Sequence, residues 1–63
     1  MFYVTIDRLP EFVARAAASE LTLNLRPSAD EQLYRVESPQ EMRAHAAAMA
    51  AGALPEVSEE EQP

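Results

Sequence analysis

The chain reads as a small α+β domain in two layers, a three-stranded sheet with two helices packed on one face, in the order β-α-β-β-α. Three observations predict it. Residues 2–7, 21–26 and 32–37 carry alternating or β-favouring side chains. Two alanine-rich stretches follow Pro10 and Pro39, each proline standing where a first helical turn has no need of its N–H. Residues 27–30, Pro-Ser-Ala-Asp, are turn chemistry too short to hold a helix, so the last two strands form a hairpin. Residues 1–54 make one compact domain, and residues 55–63 make an acidic C-terminal tail.

In the first strand Phe2, Val4 and Ile6 share one face, and Tyr3, Thr5 and Asp7 the other. The first helix then places Leu9, Phe12, Val13 and Ala16 on one side. Glu11 stands four residues before Arg15, the favourable order for a surface pair. This helix closes near Ser19. In the second strand Leu21, Leu23 and Leu25 point inward, with Thr22, Asn24 and Arg26 outward. In the third, Tyr34 and Val36 point inward, leaving Leu33, Arg35 and Glu37 outside; a slip of one residue would reverse the set.

Ser38, Pro39 and Glu41 fit an S-x-x-E capping box that opens the second helix. Gly52 fits the left-handed residue that ends it, and Pro55 prevents its resumption. Its apolar stripe reads Met42, Ala46, Met49 and Ala53, with His45 on the border. A helix of this length needs a surface to lie on. The first helix returns the chain, so the first two strands run parallel through a right-handed crossover. The third strand is antiparallel to the second, and a place between the other two completes a split βαβ unit. The inward set is then Phe2, Val4, Ile6, Leu9, Phe12, Val13, Leu21, Leu23, Leu25, Tyr34, Val36, Met42, Met49 and Leu54. After Pro55 the residues lose periodicity and carry a dense charge run, which predicts a tail that is mobile when free.

Composition excludes several function classes. With no cysteine there is neither a disulfide framework nor a thiolate metal site, and one histidine does not build a zinc site. No apolar run approaches the ~20 residues of a membrane span. The first residues lack the basic region and apolar core of a signal peptide, which predicts a cytoplasmic setting. The net charge of −6 divides unevenly. Residues 1–54 hold seven acids and all five arginines, leaving −2, and Glu56, Glu59, Glu60 and Glu61 supply the rest. There is no lysine, and direct binding to nucleic acid would need a basic face.

Catalytic chemistry finds no constellation. His45 would need a nucleophile or an orienting carboxylate nearby, and Glu41 is assigned to the cap. Consecutive glutamates at 59–61 do not converge on one cation. One glycine, Gly52, makes no phosphate-cradling loop. The chain therefore reads as non-enzymatic and without a cofactor.

In its size, acidic balance, lack of cysteine and mixture of a few strands with two helices, the chain resembles the small acidic anti-CRISPR proteins of bacteriophages, in particular inhibitors of type I (I-C-like) surveillance complexes. That resemblance implies a protein partner with a basic DNA-binding channel, the Cas surveillance complex of the host bacterial cell. Carboxylates would stand there in place of DNA phosphates. The candidate partner-binding residues are Asp30 and Glu31 at the hairpin turn, Glu37 and Glu41 around the start of the second helix, Glu20, and the tail glutamates. Two other readings are an antitoxin-like interaction module and a phage structural or accessory protein. The module would dock through Ala44, Ala47, Ala48 and Ala51, a face that would also suit a weak homodimer.

Overall fold

The computed structural model describes residues 1–55; the acidic segment with Glu56, Glu59, Glu60 and Glu61 lies outside the described residues. β1 (Phe2–Thr5) passes through one 3-10 turn (Ile6–Arg8) into α1 (Leu9–Ala18). β2 (Asn24–Pro27) and β3 (Leu33–Glu37) form the hairpin, and α2 (Glu41–Ala50) follows. β3 is central and pairs antiparallel with both neighbours, in the order β1-β3-β2. β1 and β2 therefore run parallel, connected by α1, which is the split βαβ arrangement.

The register assigns the two faces of the sheet. Phe2 pairs with Val36 and Val36 with Leu25, while Val4 pairs with Tyr34. This face meets the helices. Val4, Phe12 and Val36 are fully buried and cluster with Ala48, Ala51 and Ala53; Phe2, Leu9, Leu23, Leu25, Tyr34 and Leu54 pack around them. Tyr34 and Val36 thus point inward, the register favoured from sequence. Tyr3, Arg35 and Arg26 form a row across the opposite face, which stays exposed or half-buried. Phe2 joins the two layers. Its ring meets Phe12 of α1 at 6.2 Å between centroids and His45 of α2 at 5.2 Å, both edge to face.

Both helices end in the same hydrogen-bonded device. Gly52 takes φ +67°, its N–H donates to Met49 O at 3.0 Å, and Ala53 N–H donates to Ala48 O at 2.8 Å. These are the two bonds of a Schellman motif, with glycine where it was predicted. Ala53 then accepts from Thr5 N–H at 2.7 Å, which ties the chain after α2 to the end of β1. After α1 the same bonds run from Glu20 N–H to Ala17 O (3.0 Å) and from Leu21 N–H to Ala16 O (2.9 Å). Here the left-handed residue is Glu20, at φ +58°. That conformation costs a non-glycine residue about 1–2 kcal/mol.

Local competition for backbone partners explains where the elements depart from expectation. β2 begins at Asn24 rather than Leu21 because the Leu21 N–H is spent on the helix end and Thr22 N–H donates to Gln40 Oε1 at 3.1 Å. β1 stops at Thr5, and Ile6, expected inward on a strand, starts the 3-10 turn that swings the chain into α1 and stands 42% exposed. Glu11 reaches back to Arg8 at 2.9 Å, not forward to Arg15. No capping box forms. α2 starts at Glu41, and Ser38 Oγ instead accepts from Gln40 N–H at 3.0 Å in a local turn.

The largest correction concerns the face of α2. Ala44, Ala48 and Ala51 are buried, while Met42 is 87% and Met49 61% exposed. At about 100° per residue these two sets lie on nearly opposite sides of the helix. The stripe expected in the core faces outward. The alanine face proposed for docking is in the core, where small side chains let α2 approach the sheet while Phe2, Phe12, Val4 and Val36 supply the volume. Val13, also expected inward, is 38% exposed.

Candidate functional site

The sheet distributes the five candidate acids to two ends of the molecule. Asp30 and Glu31 sit in the β2–β3 turn, beyond Leu33. That turn is organised by Ser28 Oγ accepting from Asp30 N–H at 3.1 Å and by Asp30 Oδ1 accepting from Gln32 N–H at 2.9 Å. Glu37 closes the far end of β3, about 13 Å away along the strand. Glu41 opens α2 at that same end, and Glu20 is held nearby through the Thr22–Gln40 bond. Glu20, Glu37 and Glu41 therefore share one end, and Asp30 and Glu31 occupy the other.

Charge pairing divides them further. Glu37 lies 3.7 Å from Arg35, and Glu41 pairs with the amino terminus of Met1. Asp30, Glu31 and Glu20 have no cation partner among the described residues. Among the described residues no group of three His, Asp or Glu side chains is placed to hold a metal ion, and no helix is long and apolar enough to cross a membrane.

Packing creates a surface that the acid-based reading of the sequence missed. α1 and α2 pack against each other, and a cleft of about 340 Å³ opens between them. Arg15 and Ser19 line it from the first helix and Arg43 from the second, with Leu21, Ala46 and Ala47 between. A shallower hollow of about 400 Å³ surrounds Met42 at the start of α2, and Arg43 borders both. Met42, Ala46 and Met49, all exposed, form a ridge along the outer side of α2 beside the cleft. His45 stays exposed against Phe2 and meets no carboxylate in an ion pair among the described residues.

The sequence did carry a signal for this ridge, because the spacing of Met42, Ala46 and Met49 is that of one helix face. What it did not carry was the side on which the core would lie. No known protein family, curated protein or solved structure matches this chain.

Proposed function

We propose that this chain is a non-catalytic protein-binding module that docks on a protein partner through the outer face of α2. The observation that carries the reading is the exposure of Met42 and Met49 on a helix whose other face is already packed. Burying a methionine side chain stabilises by about 1.5–3 kcal/mol, so leaving two outside forgoes much of what a domain this small has available. Methionine is also the side chain best suited to an adaptable binding surface, being unbranched and polarisable. A partner that covers the ridge recovers that burial.

The test places a photo-crosslinking residue at position 42 or 49, and in controls at Asn24 or Arg26 on the opposite sheet face. Crosslinks to one defined protein from positions 42 and 49 alone are the expected result. Equal capture from the sheet-face controls overturns the reading.

A second reading keeps the acidic mimicry of the anti-CRISPR resemblance, with a Cas surveillance complex in the host cytoplasm as partner. It is favoured by Asp30 and Glu31, exposed at one turn and unpaired with any cation among the described residues. Under it, the protein competes with duplex DNA for a basic groove, with fast and salt-sensitive association. Reversing the charges of Asp30, Glu31 and Glu37 together should weaken that competition while leaving the circular-dichroism spectrum unchanged. Undiminished competition by the triple variant removes mimicry and leaves the α2 ridge.

A further inference from the structure

We propose that the cleft between α1 and α2 is an anion subsite, and that the partner segment laid along the Met42–Met49 ridge carries carboxylate side chains that Arg15 and Arg43 bind. The subsite presupposes the docking reading of α2 and adds the chemistry of its occupant.

Arginine pairing and position together single out this cleft. Arg8 is paired with Glu11 and Arg35 with Glu37. Arg15, Arg26 and Arg43 have no acid partner among the described residues; Arg26 lies on the sheet face away from the helices, whereas Arg15 and Arg43 line the same cleft. In a chain of net charge −6, this lining contains no acid at all. A guanidinium offers a planar fork of donors that matches a carboxylate, and the Ser19 hydroxyl adds a third donor site. Leu21, Ala46 and Ala47 give the cleft an apolar part that suits the aliphatic stem of a glutamate side chain.

Continuity with the ridge makes cleft and ridge one surface. Arg43 follows Met42 directly and borders both the cleft and the hollow at Met42. Glu41, the acid in that hollow, is occupied by the Met1 amino terminus. An occupant with apolar side chains along one face and carboxylates beside them meets both halves. An acidic amphipathic helix has this pattern. Exposed ion pairs contribute modestly, so two of them correspond to roughly a three- to tenfold change in affinity, lost progressively as salt rises.

The probe is a fluorescently labelled synthetic helix-forming peptide of glutamate and leucine, with a counterpart carrying glutamine in place of glutamate. Binding to the full chain is followed by fluorescence anisotropy and by amide shifts in nitrogen-15-labelled protein. The expected result is shifts at Arg15, Ser19 and Arg43, with affinity lower by roughly three- to tenfold for the glutamine peptide and for the R15Q/R43Q variant. Both arginines are exposed, and an unchanged amide spectrum of the free variant confirms its fold. Equal affinity for the two peptides, or shifts centred on Arg26 and Arg35, overturns the subsite. An M42S/M49S variant separates the two claims. Binding lost in M42S/M49S but kept in R15Q/R43Q leaves the ridge and removes the subsite; binding kept in both removes ridge and subsite together.

Discussion

Replacing Phe12 with alanine is expected to lower stability by about 3–5 kcal/mol and to leave much of the protein unfolded near body temperature. Phe12 is the largest fully buried side chain, and it meets the Phe2 ring where both helices reach the sheet. The surrounding buried residues are Val4, Val36 and alanines, whose short side chains have few rotamers with which to collapse into the space. Urea unfolding followed by circular dichroism measures the effect. A midpoint close to that of the parent protein would show that α1 is not anchored through Phe12 and that the core lies elsewhere.

The elements most legible in the sequence were those whose signal is local and chemically one-sided. Gly52 ended α2 as predicted because a left-handed residue with a free choice of side chain is most often glycine. Glu20 gave no such warning, since the same motif after α1 is built on a residue that resists the conformation. The β3 register was open in the sequence, with Leu33 set against Tyr34 and Val36, and the favoured choice holds because the pair packs against the helical core. Leu21 and Leu23 alternate as a strand does, yet the Leu21 donor is consumed by the helix end before any strand can pair. Alternation fixes the side on which residues point, not whether their backbone is free to join a ladder.

The candidate site was harder to read for a different reason. Acids close in sequence, such as Glu31 and Glu37, are separated by the length of a strand, and two of the five acids acquire partners on folding. The arginines that meet in the cleft come from different helices and converge only through tertiary packing. Their one sequence-level trace is negative. Spacing in the sequence pairs Glu11 with Arg15, and because Arg8 takes Glu11 in the structure, Arg15 is left without that partner.

The orientation of α2 decides more than any other feature, and a pair of leucine substitutions tests it. Ala48 is fully buried against the sheet, while Ala46 lies on the exposed ridge between Met42 and Met49. Ala48→Leu inserts three heavy atoms into the packed core, and overpacking of that kind costs typically about 1–3 kcal/mol. Ala46→Leu changes an exposed position and should stay within about 0.5 kcal/mol, since leucine forms helix almost as well as alanine. A melting temperature lowered by several degrees for A48L and nearly unmoved for A46L is the expected result. The reverse order would mean that Met42 and Met49 face the core after all. In that case the docking ridge would disappear, the alanine face would be the exposed one, and Arg43 would turn away from the wall it shares with Arg15.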